Sequence, residues 1–204
     1  MAEPVAESAR IIGLTGLYCA GKNFVARIFL QRRIPVLDVD KLGYQAIDAR
    51  TEALAGRFGG IVERGKIDRG LLGRRVFGNP GELAALEAII HPAVNELTAE
   101  WLDSQRGLCV INAALLHRSP ALSRLCALVI VRAPPPVRFW RGLWRDKLPP
   151  GDLLRRFASQ KNFPNPRTYA QYLAPKTDIY TISNPAFGSV KTLSKRVDTI
   201  VKGL

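Results

Sequence analysis

Gly16-Leu17-Tyr18-Cys19-Ala20-Gly21-Lys22 has the spacing G-x-x-x-x-G-K. That spacing suits a polyphosphate: glycines let successive backbone N–H groups turn inward, a following helix offers its positive end, and a lysine adds a point charge. The stretch from Gly16 through Lys22, Asn23 and Phe24 is therefore the candidate ATP-binding segment. The position after the lysine breaks the usual pattern, because a Ser or Thr there puts a hydroxyl on the Mg2+ between the β- and γ-phosphates. This chain has Asn23, which has only an amide oxygen to give a metal. The competing explanation is a glycine turn of no function. Context argues against it, since Ile11 to Leu14 supply a preceding strand and Phe24, Val25, Ile28 and Phe29 recur at helical spacing behind the lysine.

A second constellation is Ile34-Pro35-Val36-Leu37-Asp38-Val39-Asp40. On a strand, alternation would put Asp38 and Asp40 on one side. At the C-terminal edge of a parallel sheet, where a phosphate loop also lies, such a carboxylate can hold Mg2+ or accept a proton from an attacking hydroxyl. The structural alternative for Asp40 is an N-cap before Lys41-Leu42-Gly43.

These residues need a scaffold, and the rest of the chain reads as one. Strands are expected over Ile11 to Leu14, 34–40, Leu108 to Asn112, Ala127 to Arg132 and Asp178 to Ser183, and helices over Phe24 to Arg32, 41–58 and Val190 to Val201. Strands alternating with helices imply an α/β fold with a five-stranded parallel sheet covered on both faces. Between the second and third strands lies a helical block. It holds a turn at Glu63-Arg64-Gly65-Lys66, a helix through Leu71 to Phe77, one from Glu82 to His91-Pro92, and another from Ala93 to about Ser104. Two further helices are expected at about 136–146 and 150–162, with a proline-rich loop over 163–175. Trp140 and Trp144, four residues apart, suggest packing.

The 204 residues, 47% hydrophobic, suffice for one domain over 11–204 behind a disordered lead of residues 1–10. No apolar run approaches a membrane span of about 18 residues, and no membrane partner is expected. Three cysteines in no metal-like spacing, Cys19, Cys109 and Cys126, fit a reducing cytoplasm. Cys109 and Cys126 read as buried strand residues, whereas a helix N-terminus would make Cys19 more reactive. The net charge of +13 calls for a polyanion, and Arg132 to Lys176 holds ten basic residues against Asp146 and Asp152. A nucleic-acid surface, a lid over nucleotide phosphates and a solvated basic face all explain such a cluster. No aromatic platform recurs among the basic residues, so nucleic acid is not the expected partner.

Taken together the blocks resemble the dephospho-CoA kinase family from about Ile11 to the C-terminus. The blocks are Gly13-Leu14-Thr15-Gly16 with Gly21-Lys22, Pro35 to Asp40, Phe58-Gly59 with Gly65-Lys66-Ile67-Asp68-Arg69, Val76-Phe77, and Leu86-Glu87-Ala88-Ile89-Ile90-His91-Pro92. Arg141, Arg145-Asp146, Arg156, Gln160 and Asp178 to Asn184 fall where that family has lid arginines, a glutamine and its final strand. The resemblance implies a three-layer P-loop kinase fold with a helical acceptor-binding insertion at about 41–104 and a basic helical lid at about 136–175. It implies phosphorylation of the ribose 3′-hydroxyl of dephospho-CoA by ATP with Mg2+. Asp40 would be the general base and Lys22 the β/γ-phosphate ligand, with Arg141 and Arg145 closing on ATP. Asn184 would lie by the adenine, His91 and Arg69 at the acceptor, and Asn23 and Asp38 at the metal.

Two blocks depart from the family. Asn23 is one, and Asn112-Ala113-Ala114-Leu115-Leu116-His117-Arg118 stands where the family has Asp-x-Pro-Leu-Leu-Phe-Glu. These leave open a nucleotide-binding relative with weakened or lost catalysis, a kinase for another nucleotide-like acceptor, and a basic nucleic-acid-binding protein on the same scaffold. His117 reads as structural.

Overall fold

The computed structural model describes residues 9–76, 78–146, 149–160, 163–185 and 189–204. Residues 1–8 of the lead expected over 1–10 lie outside them, as do Phe77, Lys147, Lys161 and Asn162, whereas Arg10 already belongs to the first strand. The elements in chain order are β1 (Arg10–Gly16), α1 (Lys22–Gln31), β2 (Val36–Asp38), α2 (Val39–Ala49), α3 (Thr51–Phe58), β3 (Val62–Glu63) and β4 (Lys66–Ile67). They continue with α4 (Arg69–Val76), α5 (Pro80–Asp103), β5 (Leu108–Asn112), β6 (Leu125–Arg132), α6 (Pro135–Asp146), α7 (Pro150–Ser159), α8 (Pro166–Ala170), β7 (Asp178–Ser183) and α9 (Val190–Gly203). Two compact units result, one of Met1–Leu37 with Gln105–Leu204 and one of Asp38–Ser104.

The first unit is built on a five-stranded sheet in the order β2-β5-β1-β6-β7. β1 runs parallel to both β5 and β6, and β6 parallel to β7. From Ile11 to Gly16 every residue of β1 is buried, as a central strand covered on both faces requires. Val25 and Phe29 of α1 and Val197 of α9 pack on the sheet residues Ile12, Val110 and Val129. At the end of β1 the strands come close: a Cβ on Gly16 would lie 2.5 Å from the backbone oxygen of Val131. That contact admits no side chain and fixes where the chain leaves the sheet to form the phosphate loop.

The second unit is helical, with the β3–β4 hairpin. Its core joins Leu54, Phe58, Ile61, Ile67, Leu72 and Val76. Arg64 and Gly65 both take positive φ, 51° and 77°, as a two-residue hairpin turn demands.

Four expectations about elements need correction. The strand before Asp40 ends at Asp38, which is extended (φ −93°, ψ 92°), and α2 begins at Val39. Asp38 and Asp40 therefore do not alternate on one strand; Asp40 lies in the first turn of a helix, where a carboxylate suits the exposed N–H groups. The helix expected over 41–58 breaks at Arg50 (φ −112°, ψ 25°), where Thr51 Oγ1 donates to Asp48 O at 2.9 Å. The two helices expected to meet at His91-Pro92 are one 24-residue helix, α5. Pro92 withholds one N–H from it, but Asn79 caps the start by accepting from Gly81 N and Glu82 N. Burial on both sides of the proline, at Leu86 and Ile89 before it and Ala93 and Leu102 after it, holds the helix through. Finally, the loop expected over 163–175 contains α8. Pro166 occupies its first turn, where proline is favoured, behind the cap Asn165, and Tyr169 is fully buried.

Candidate functional site

The loop after β1 is locked in a left-handed shape at two points, Cys19 (φ 58°) and Gly21 (φ 97°). Ala20 N donates to Leu17 O at 3.0 Å, and Gly21 stands as the N-cap of α1. Such αL residues turn backbone N–H groups toward one point, and the helix that follows adds its dipole. Around this loop lies a cleft of about 620 Å3. Its walls are Cys19, Gly21, Asn23, Phe24, Arg141, Trp144, Arg145, Asn184, Val190 and Leu193. Seven of the residues expected at ATP thus meet in one cavity, and Lys22 adjoins it with Nζ 3.4 Å from Asn23 Oδ1. Asn184 and Arg141 form a clamp on the loop. Asn184 Nδ2 donates to Ala20 O at 2.9 Å. Arg141 donates to Ala20 O, Asn184 Oδ1 and Pro185 O at 3.1–3.3 Å.

Trp144, Val190 and Leu193 were missed from sequence. Trp140 and Trp144 do not pack as their spacing suggested: they are 62% and 77% exposed, and Trp144 faces the cleft. The one signal in the sequence was the place of Trp144 between Arg141 and Arg145 of the lid that the resemblance implies over ATP, where a wide aromatic suits a planar base.

Tyr18 organises the arginines. Its backbone N–H donates to Gln160 Oε1 at 2.7 Å and its carbonyl accepts from Arg138 Nε at 2.9 Å. Its hydroxyl donates to Asp146 Oδ2, and the guanidinium carbons of Arg145 and Arg156 lie 5.0 and 5.7 Å from its ring centroid. Arg138 is only 6% exposed and stacks over Phe157 at 4.6 Å, so it braces the loop from beneath. Burial pushes its pKa down.

Asp146 accepts from Arg145 Nε at 2.6 Å and from Arg156 at 3.4 Å. The hydrogen bond from Arg145, helped by that from Tyr18, lowers its carboxyl from the ordinary 3.8 to about 2. Burial, then the bond to Asp146, raises the Tyr18 phenol to about 12. A carboxyl depressed in the folded state adds stability above its unfolded pKa and loses it as pH falls through the folded value. Wild type is therefore expected to exceed Asp146→Asn by about 2 kcal/mol of unfolding free energy above pH 4. That difference should vanish toward pH 2 in paired denaturant titrations, and a pH-independent difference would mean the ion pair is not its source.

Cys19 corrects another expectation. It is 7% exposed, and desolvation raises its thiol above the usual value, outweighing the nearby Arg145. Burial here outweighs the helix N-terminus, so the thiol is inert rather than activated. Alkylation at neutral pH, followed by peptide mass spectrometry, is expected to run at least about tenfold slower than at a free cysteine. It should slow further with ATP, and modification at the free rate would show an open loop. Cys109 is buried in β5, as expected, and Cys126, half-buried in β6, contacts Ile11 O.

Asn23 does not offer its oxygen to the cleft. Oδ1 accepts from Asn112 Nδ2 at 3.0 Å as well as facing Lys22. The two departures noted in the sequence thus touch each other. His117 is half-buried, its ring edge-on to Tyr169 at 6.3 Å, with its pKa lowered by burial and by Arg118.

In the second unit, Arg69 is exposed, lies 4.5 Å over the Tyr44 ring and pairs with Asp48. His91 is half-buried inside α5 and caps nothing. Asp40 is exposed. Asp38 Oδ1 is buried with no hydrogen-bond partner, while Oδ2 lies 3.7 Å from Lys41. Among the described residues no group of three or more His, Cys, Asp or Glu could hold a metal, and no helix is long and apolar enough to cross a membrane.

Known proteins resemble this chain along most of its length. The family model for dephospho-CoA kinase (CoaE) matches residues 10–175. A dephospho-CoA kinase from Treponema pallidum is 31% identical, over 96% of this chain and 95% of its own. Another from Anaeromyxobacter dehalogenans is 39% identical, over 74% and 76%. A crystal structure from Thermus thermophilus superposes with a TM-score of 0.77 at 29% identity, covering 97% of this chain and 99% of that one. With its phosphate loop, parallel sheet and arginine-lined cleft, and with a match over most of its length, the chain belongs to the dephospho-CoA kinase family.

Proposed function

We propose that the protein transfers the γ-phosphoryl group of ATP to the ribose 3′-hydroxyl of dephospho-CoA, giving coenzyme A and ADP. The observation that carries this reading is the arginine-lined cleft at an intact G-x-x-x-x-G-K loop, in a chain matched by this family over residues 10–175. Phosphoryl transfer asks for alignment and for neutralisation of charge on the transferring oxygens. Backbone N–H groups between Gly16 and Phe24 and the Lys22 ammonium supply the neutralisation. Arg141 and Arg145 close on the phosphates, and Trp144 and Asn184 face the base.

We assign the acceptor to the helical unit, with Arg69 and His91 as contacts and Asp40 as the base that takes the proton of the 3′-hydroxyl. Of the two groups expected to hold Mg2+, Asp38 fits, because a buried carboxylate oxygen without a partner suits a hard cation. Asn23 does not fit, because its oxygen already accepts two donors. Mg2+ supplies charge neutralisation between the β- and γ-phosphates when bound. The unpaired thiols of Cys19, Cys109 and Cys126 support a cytoplasmic location, and the basic charge is assigned to polyanionic substrates rather than nucleic acid.

The test is purified protein with Mg-ATP and dephospho-CoA, read by equimolar formation of ADP and of coenzyme A phosphorylated at the 3′-position. ATP binding without product would leave a non-catalytic nucleotide binder. Phosphorylation of a different nucleotide-like acceptor would move the assignment within the fold.

A further inference from the structure

We propose that Asn23 binds a phosphate oxygen of the nucleotide through its Nδ2 hydrogens and is not a metal ligand, its amide being held in that orientation by Asn112 and Lys22. This deepens the kinase reading and rests on ATP occupying the cleft.

Three observations carry the inference. Asn23 is exposed and lines the cleft. Its Oδ1 accepts from Asn112 Nδ2 at 3.0 Å and faces Lys22 Nζ at 3.4 Å. Asn112 is 1% exposed, at the end of β5 and paired in register with Leu14, so it cannot turn away.

The orientation of the Asn23 amide follows from the donors around it. An ammonium has donors only, so Lys22 Nζ repels an amide nitrogen and accepts no alternative to an oxygen at that point. Rotating both amides by 180° would also leave the buried Asn112 with an unsatisfied NH2 in place of the single orphaned carbonyl oxygen it has now, Oδ1. With Oδ1 fixed inward, Nδ2 is the polar group Asn23 presents to the cleft. A donor repels a cation and attracts a phosphate oxygen, and a hydrogen bond to a charged acceptor is among the stronger ones. The Ser or Thr usual at this position both donates and ligates through one oxygen. Asn at 23 together with Asn rather than Asp at 112 replaces an anionic, oxygen-presenting pair by a neutral, donor-presenting one. The two departures are then one coupled change in how the phosphates are held.

The experiment is ATP binding by calorimetry with the full chain, first in EDTA and then across a Mg2+ titration, for wild type, Asn23→Ala and Asn112→Asp. Asn23→Ala removes a surface amide, and is expected to weaken metal-free ATP about tenfold while leaving the Mg2+ concentration that half-saturates the ATP complex unchanged. Asn112→Asp replaces the donor by an acceptor. Nδ2 of Asn23 then turns inward and Oδ1 outward, so Mg2+ should strengthen ATP binding at least about fivefold more than in wild type.

Unchanged metal-free affinity in Asn23→Ala, or a raised Mg2+ requirement in that variant, overturns the proposal. An Mg2+ response in folded Asn112→Asp equal to that of wild type overturns the part given to Asn112. If Asn112→Asp does not fold, the Asn23→Ala titrations decide alone. Wild type that binds no ATP overturns this inference and the kinase reading together, whereas ATP binding without phosphorylation of dephospho-CoA overturns only the latter.

Discussion

Asp40→Asn is expected to lower turnover by roughly a hundredfold or more while ATP affinity stays within about twofold of wild type. The substitution separates two explanations of this carboxylate. Asp40 stands in the first turn of α2, a position that favours Asp for its interaction with free N–H groups whatever the protein does. Asn is nearly the same size, and losing a charge in the first turn of a helix costs only about 0.3–1 kcal/mol, so a purely local role shows as a small change in stability and none in turnover. A proton acceptor does not survive the substitution. Loss of kcat with unchanged ATP binding and at most a slightly lowered thermal midpoint therefore identifies chemistry, and unchanged turnover returns Asp40 to a local role in the first turn of α2. Asp38→Asn in parallel tests the buried oxygen assigned to Mg2+. There the expected defect is a raised Mg2+ requirement rather than a loss that persists at saturating metal.

Legibility from sequence divides along physical lines. β5 and β7 match their expected limits residue for residue, β5 because a buried parallel strand is a short apolar run, and β7, an edge strand in which only Ile182 is buried, because Pro175 and Asn184-Pro185 bound a short β-branched and aromatic stretch. The β3–β4 turn was legible for a different reason, since Gly65 takes the positive φ of a tight turn without strain between polar neighbours. Proline misled twice. Pro92 sits inside a helix held by burial on both sides, and Pro166 begins one. A proline states only what its own N–H and φ allow, and tertiary packing decides whether the helix continues.

In the site, the residues of the loop were readable because their spacing is local. Arg141 and Asn184 reach the loop from 121 and 164 positions away. Nothing local to either residue shows that both point at Ala20 O, and only the family resemblance placed them by ATP. Tyr18 and Asp146 were likewise unpaired in the sequence, and so were Asn23 and Asn112. Each member was visible as a residue type, but the contact between them depends on β1, β5 and α6 meeting at one edge of the sheet.

The Ala20 clamp yields the second large effect, at Gly21. Gly21→Ala is expected to reduce ATP affinity by at least about tenfold and to cost about 2–4 kcal/mol of stability, with the sheet still folded. Two separate strains combine at this position. A Cβ at φ 97° is disfavoured for any L-residue, of the order of 1–3 kcal/mol. The same Cβ would lie 2.1 Å from Asn184 Nδ2, and Asn184 is 6% exposed, with little room to retreat. Moving it breaks its bond to Ala20 O and the one it accepts from Arg141, so the loop loses both the shape that aims its N–H groups and the arginine positioned over them. Calorimetry with ATP, alongside chemical denaturation, measures both effects. The control is Gly43→Ala, at a helical glycine with nothing within 4 Å of an added Cβ, which should leave ATP affinity unchanged and stability equal or slightly higher. If Gly21→Ala binds ATP as wild type does, the left-handed turn at Gly21 is not what holds the phosphates, and the cleft must engage the nucleotide through its arginines alone.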